Sequence, residues 1–392
     1  MLIYNSKIIT WDTPNQILED GGILIQDGVI QEIGQSSELL KKYSEEEQID
    51  AHSQYIMPGN ICAHTHFYGA YARGMAIPGP APDSFPQILA RLWWPLDKAL
   101  TPEAVKYSAF VCLIDAIRHG TTTLVDHHAS PNCIDGSLDI LAEATLAAGI
   151  RASLCYEVTD RNGSDGAKQG IRENVRFIER ILKDNGGGLL SATFGMHASL
   201  TLSDETLALC RGAATKTTGF HIHVAEHSID EDDSLQTSGM RVVERLNKFG
   251  LLGEKSIVVH AVHVDTNEIN ILAETNTWVT HQPRSNMNNA VGMPDVGEML
   301  SLGVRVGLGN DGFSNTMWDE WKAAYLAHKL IHADPRWMPA DQIARMAIVN
   351  NRDLINAIFN CPPVGIVAPG AAADLIFVDY HPYTPLTLAN LP

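Results

Sequence analysis

Basic residues are scarce in this chain. Its 392 residues carry 28 Lys and Arg against 46 Asp and Glu, for a formal net charge of −18. Such a balance repels a nucleic-acid backbone and anionic lipid unless the cations cluster, and no basic patch is present. A solvated acidic surface accounts for the excess. Cysteine is sparse too: Cys62, Cys112, Cys133, Cys155, Cys210 and Cys361 are scattered, with no Cys-x-x-Cys pair. That argues for reduced thiols rather than a disulfide framework or a zinc knuckle. No apolar run is long enough to span a bilayer, and residues 1–7 lack the charged-then-apolar order of a signal peptide. The expectation is a cytoplasmic protein with neither a nucleic-acid nor a membrane partner.

What is present is core-forming material, 45% hydrophobic and 19% charged, ordinary for a soluble globular protein. The length suits one barrel of about 250–300 residues plus a smaller companion domain.

The most informative segment is Ala63-His64-Thr65-His66. It closes the apolar run 55–62, read as a short buried strand, and side chains two apart on a strand point the same way. His64 and His66 can therefore grip one ion. Further candidates follow in order: His223 with Glu226 in His-Val-Ala-Glu, His260 after Val258-Val259, and Asp311 in Gly-Asn-Asp-Gly. One His-x-His pair among 16 His would prove little. Here each candidate closes a strand-like run where a turn begins. Three imidazoles, one carboxylate and an open position describe a catalytic rather than a structural metal site.

Residues 1–55 read as β structure, with a strand over 2–10 and a hairpin over 22–33 turning at Asp27-Gly28. The same style returns over 373–379. The ends, 1–55 and 361–392, are expected to form one small β domain. Between them, 56–360 alternates short β runs with helical periods such as 102–118 and 136–148. The strand candidates are 61–64, 122–127, 152–157, 192–197, 220–225, 257–260, 278–281 and 305–309. Eight such alternations predict an α/β fold, a (β/α)₈ barrel with its site at the C-terminal strand ends. The candidate ligands fall at those ends. Asn185-Gly186-Gly187-Gly188 reads as a flexible loop.

With Met57-Pro58-Gly59, His64-x-His66, His223-x-x-Glu226, His260 and Asp311 in place, the chain resembles the amidohydrolase superfamily over nearly its whole length. The nearest branch holds cytosine and guanine deaminases and triazine (chloro)hydrolases. Blocks 92–97 (Leu-Trp-Trp-Pro-Leu-Asp), 126–131 (Asp-His-His-Ala-Ser-Pro) and 284–289 (Arg-Ser-Asn-Met-Asn-Asn) look like aminohydrolases of the SsnA type. The resemblance implies a mononuclear site with His64, His66, His223 and Asp311 as ligands, Glu226 as acid/base, and His260 on the attacking water or the substrate. It also implies a homodimer or larger assembly. A single ion agrees with the fourth strand, since 189–200 contains no Lys or Glu to bridge a second one. The chain departs from the pattern twice. Asn310 stands where relatives more often carry Thr or Ser, and relatives run several tens of residues past Asp379, so the small β domain is expected to be cut short.

The implied chemistry is hydrolysis of a C–N bond, with ammonia released from an aminated N-heterocycle of purine, pterin, pyrimidine or triazine type. Zn²⁺ fits the ligand set best, and Fe²⁺ also tolerates it. Asp311 can both ligate and take a proton, while Glu226 protonates a ring nitrogen. Around them, His197 and His281 end the fourth and seventh strands, which suits pocket lining, with core packing as the competing reading. Of the adjacent His127 and His128, one at most faces the mouth; His221 reads as core. Arg284 offers a planar fork to a substrate carbonyl or anion, with Ser285 and Asn286 beside it, or else it pairs with an acid. Trp93 and Trp94, with the aromatic loop after His66, can stack on a flat ring. Dechlorination or cyclic-amide hydrolysis by the same site is the alternative, although chloride needs no proton from Glu226. A scaffold that had lost catalysis would be expected to have eroded ligands, and this chain keeps them all.

Overall fold

Short β-branched and apolar runs broken by turn residues build the sheet at the chain ends. The computed structural model describes residues 1–215 and 217–391. It divides into one unit of Met1–Ile61 with Asn360–Pro392 and another of Cys62–Phe359. In the first, β1 (Leu2–Ile9) pairs antiparallel with β2 (Ile17–Gln26), and β2 with β3 (Val29–Gln35). The β2–β3 turn has Asp27 at φ 51° and Gly28 at φ 73°, the positive pair that a two-residue hairpin requires. Strands β4 (Gln48–Asp50) and β5 (Tyr55–Pro58) run parallel to β1, and Leu375–Val378 returns antiparallel to β5. Ile3, Ile8, Ile23, Ile30 and Ile56 form its buried face.

The second unit holds the parallel strands. They are β6 (Asn60–Thr65, which starts just before the unit boundary), β7 (Thr121–Asp126), β8 (Arg151–Leu154), β9 (Leu190–Ala192), β10 (Phe194–Ala198), β11 (Phe220–Val224), β12 (Ile257–His260), β13 (Trp278–His281) and β14 (Arg305–Leu308). They hydrogen-bond in the orders β6-β7-β8-β9 and β10-β11-β12-β13-β14. Only Thr193 separates β9 from β10, so nine segments fill eight strand positions. Two seams join the series. His197 N–H donates to Val158 O at 2.9 Å, and Asn310 N–H donates to His64 O at 2.9 Å. At the second seam, a Cβ on Gly309 would sit 2.7 Å from the backbone N and O of His64. Only glycine lets the end of β14 come this close to the metal-motif strand. The fold is the (β/α)₈ barrel of an α/β protein.

Helix boundaries follow local chemistry. Pro102–Arg118 opens with Thr101 Oγ1 accepting from Ala104 N–H and with Pro102 at the first helical position. Ser137–Ala148 stops at Gly149, φ 71°. Four expectations shift. The apolar run at 55–62 is two strands broken at Gly59 rather than one. The third barrel strand stops at Leu154, short of Glu157, and 192–197 is interrupted at Thr193. The stretch 185–188 is a tight left-handed turn, with Asn185, Gly186, Gly187 and Gly188 all at positive φ.

Candidate active site

His64 and His66 sit two residues apart at the end of β6, His223 sits on β11, and Asp311 follows β14. Their ligand atoms all lie within 4.8 Å of one another. His64 Nε2 is 3.1 Å and His66 Nε2 is 3.2 Å from Asp311 Oδ1, while His66 Nε2 and His223 Nε2 are 3.2 Å apart. The outer nitrogens set the tautomers. His66 Nδ1–H donates to His127 O at 2.6 Å, and His223 Nδ1–H donates to His197 O at 2.8 Å. A carbonyl only accepts, so both Nδ1 atoms carry hydrogen, and Nε2 is the atom that each ring turns inward and can offer to a cation in place of a proton. Lone pairs and a carboxylate oxygen converging in a buried space repel one another unless a positive charge lies between them. Three nitrogens and one oxygen suit a divalent ion such as Zn²⁺.

The electrostatics agree. Burial pushes His64 down to about 3. Burial also acts against His66, yet the Asp311 hydrogen bond and charge lift it to about 9. Asp311 lies well below the carboxylate range, because His260 and the bonds from His64 and His66 outweigh its burial. The cluster welcomes one positive charge, not several.

Beside it stands a second group, Glu226, His260 and Asp311. His260 Nε2 lies 3.5 Å from Glu226 Oε2 and 3.8 Å from Asp311 Oδ2. Its Nδ1–H donates to Asn286 Oδ1 at 2.9 Å, and burial lowers its basicity. Ser285 Oγ–H donates to Asp311 Oδ2 at 2.5 Å. Burial first, and the Asp311 charge second, raise Glu226 well above the usual carboxyl range. Two neighbouring carboxyls pushed in opposite directions give one protonated acid and one ionised base.

His66, His223, Glu226 and Asp311 of these two groups line one cavity. Its apolar wall comes from Tyr68, Phe85, Leu89, Trp93 and Trp94. Trp93 meets Tyr68 edge-on at 6.0 Å, and Phe85 stacks on His227 at 5.9 Å. A charged group adjoins Trp94: Arg161 Nη2 donates to Asp97 Oδ2 at 2.9 Å, with Glu157 Oε1 at 3.8 Å and Trp94 under the guanidinium at 5.0 Å. Glu157 stays ionised despite burial, because His197 and His127 flank it.

Of the residues expected to meet substrate, Trp93 and His197 line this cavity, and Arg284, Asn286 and His281 do not. Arg284 takes the second of its two expected readings, pairing with an acid. Its fork is spent on Glu320 Oε1, Ser314 Oγ and Ser314 O. Asn286 is fully buried and holds the back of His260. His281 pairs with His328, Nε2 to Nε2 at 3.2 Å, in the interior. His221, expected as core, is buried but bonds His64 Nδ1 at 2.9 Å. His127 and His128 are both buried; His128 Nε2 is 2.9 Å from Ser130 Oγ. Sequence reasoning missed Asp97, Glu157 and Arg161 as pocket residues. The available signal was an Asp at the end of the aromatic block and a Glu four residues before an Arg.

The sequence matches the Amidohydrolase family over residues 55–391. It is 33% identical over 376 residues to a 5'-deoxyadenosine deaminase of Methanopyrus kandleri, covering 94% of this chain and 83% of that protein. It is 31% identical over 391 residues to a 5-methylthioadenosine/S-adenosylhomocysteine deaminase of Pelotomaculum thermopropionicum, covering 97% and 85%. Among solved structures, the fold is shared with an adenosine deaminase from Xanthomonas campestris with bound zinc, at TM-score 0.84, 24% identity and coverage of 96% and 84%. It is shared also with a guanine deaminase from C. acetobutylicum with bound guanine, at TM-score 0.81, 21% identity and coverage of 96% and 90%. This chain belongs to the amidohydrolase family.

Proposed function

We propose that this chain is a zinc-dependent hydrolase that releases ammonia from an aminated N-heterocycle, with a 6-aminopurine nucleoside as the preferred class. The observation that carries the reading is the placement of Glu226 and Asp311, 3.5 and 3.8 Å from the same His260 nitrogen and both bordering the aromatic cavity, in surroundings that raise the pKa of one carboxyl and lower that of the other. A divalent ion held by His64, His66, His223 and Asp311 lowers the pKa of water from about 15.7 toward 7.

The remaining work falls to the side chains. Tyr68, Phe85 and Trp93 offer flat apolar surface to a planar ring. Glu226 gives its proton to the ring nitrogen next to the amino-bearing carbon as water adds there. Asp311 Oδ2 takes a proton from the water, and His260 Nε2 faces the same space as an acceptor. The proton on Asp311 passes to the amino group, the added hydroxyl returns its proton to Glu226, the C–N bond breaks, ammonia leaves, and the ring retains a carbonyl with both carboxyls restored. Acid–base assistance of this kind contributes about 10²–10⁴-fold. The deaminase names of relatives at 33% and 31% identity support the purine class. Dechlorination fits less well, because chloride departs without the proton that Glu226 is held ready to supply.

The test is ammonia release by zinc-loaded protein from 5'-deoxyadenosine, 5-methylthioadenosine, adenosine, guanine, cytosine, aminopterins and aminotriazines. Release from an adenine nucleoside that disappears in Glu226→Gln is the expected result. No ammonia from any of them, with one zinc bound per chain, overturns it.

A further inference from the structure

The three imidazoles of the cluster are not supported alike. His66 and His223 each lean on a backbone carbonyl, which fixes their tautomer permanently. His64 leans on another imidazole: its Nδ1 is 2.9 Å from His221 Nε2. Behind it, His221 Nδ1 is 3.7 Å from Cys155 Sγ, and Cys155 Sγ is 3.5 Å from Asp126 O. His64, His221 and Cys155 are all 0% exposed, so no solvent competes for these bonds.

An imidazole can donate or accept at either nitrogen, so this chain of bonds can run in two directions. When His64 offers its Nε2 lone pair to a cation, its hydrogen must sit on Nδ1. It then donates to His221 Nε2, His221 Nδ1–H donates to Cys155 Sγ, and the thiol S–H donates to Asp126 O. When His64 instead carries hydrogen on Nε2, toward Asp311 Oδ1 at 3.1 Å, its Nδ1 accepts from His221 Nε2–H, and His221 Nδ1 accepts from the Cys155 thiol. Each ring carries one hydrogen and the thiol one in both arrangements, so no net charge moves. Both ends of the relay can accept and never donate: the Asp126 carbonyl receives a hydrogen in the first arrangement and the Asp311 carboxylate in the second, so a cation that occupies His64 Nε2 and Asp311 selects the first and its removal the second.

The geometry points to His221 and Cys155 as positioning residues, a buried hydrogen-bond relay that holds His64 in its metal-ligating tautomer and reverses when that ligand is protonated instead. This rests on the reading of His64 as a metal ligand. Support of a ligand imidazole by its outer hydrogen bond is typically worth about 10–100-fold in metal affinity.

The experiment has two readouts that need no turnover. One is the nitrogen NMR of ¹⁵N-histidine-labelled wild-type protein, zinc-loaded and after stripping with a chelator. The other is zinc affinity, by competition with a chromophoric chelator, for His221→Leu, His221→Gln, Cys155→Ala and Cys155→Ser. The expected result is His221 protonated at Nδ1 with zinc and at Nε2 without it. His221→Leu should bind zinc about 10–100-fold more weakly. His221→Gln should recover most of that loss, since an amide oxygen accepts from His64 Nδ1–H. Cys155→Ala should lose less than His221→Leu, and Cys155→Ser should stay close to wild type. A His221 tautomer that zinc does not change, or wild-type affinity in a folded His221→Leu, overturns the relay. Should His221→Leu fail to fold, the wild-type NMR still decides. A wild-type protein that takes up no zinc defeats the metal reading itself and is recognised before any variant is made.

Discussion

Glu226 Oε2 and His260 Nε2 face each other at 3.5 Å, and the same imidazole nitrogen stands 3.8 Å from Asp311 Oδ2. The ring therefore sits between two carboxyl groups whose surroundings push their acidities in opposite directions. Burial and like charge raise Glu226, while His260, His64 and His66 hold Asp311 down. A site that must deliver one proton and accept another needs this separation. It is built from three strand ends, β11, β12 and β14, whose spacing the barrel fixes.

Glu226→Gln keeps the size of the side chain and removes the acid. Its oxygens are not among the atoms facing the His64, His66 and His223 nitrogens, so zinc content should stay at one per chain. The expected loss in kcat is about 10²–10⁴-fold, with KM changed little. Steady-state kinetics beside metal analysis checks both halves. A simultaneous loss of zinc would move Glu226 into the ligand set.

Asn286 acts on the reaction only through His260. Replacing it with Leu strips His260 Nδ1–H of its acceptor at 2.9 Å and leaves a buried donor unsatisfied, at a cost of about 1–3 kcal/mol. The ring can then turn or change tautomer. kcat should fall about 10-fold or more, by analogy with outer-sphere partners of ligand imidazoles, while Asn286→Asp, which keeps an acceptor oxygen, should retain much of it. A substrate-binding Asn would instead raise KM with kcat unchanged, and that split is the measurement.

The metal motif was readable because it is local in each strand. His64 and His66 share a strand face by period two, and His223, His260 and Asp311 each close an apolar run. Barrel topology then brings such ends together whatever the loops do. The residues that went astray depend on distant partners. Nothing near Arg284 in sequence announces Glu320 or Ser314, 36 and 30 positions away. His281 ends a strand just as His260 does, yet His328 meets its ring in the interior. The wall made by Asp97 and Arg161 was hidden likewise, by a separation of 64 residues.

Arg284 should behave as a stability residue. Its guanidinium faces Glu320, which is fully buried and raised to about 7 by burial even with the arginine beside it. Arg284→Met leaves that carboxyl without its partner, and breaking a buried pair from one side costs about 3–5 kcal/mol. Urea unfolding should show the loss. The KM of the folded fraction should match wild type, whereas a large rise in KM would return Arg284 to the substrate.

His281 and His328 should make stability depend on acid. Burial holds His328 at about 4 and His281 well below the ordinary value. Both stay neutral in the folded protein while the unfolded chain protonates below about 6.5. The unfolded state then binds more protons, so stability is full above pH 6.5 and falls as pH drops toward 4. At about 1.4 kcal/mol per pKa unit, His328 alone accounts for about 3 kcal/mol at pH 4. Asp97 and Asp230, both raised to about 6 by burial, work the other way, because their folded forms gain protons first as pH falls. The informative quantity is therefore the difference between wild type and the His281→Leu/His328→Leu double variant. Its Tm should fall less steeply than that of wild type between pH 6.5 and 4. Parallel Tm curves for the two proteins would mean that the buried pair does not carry the acid sensitivity.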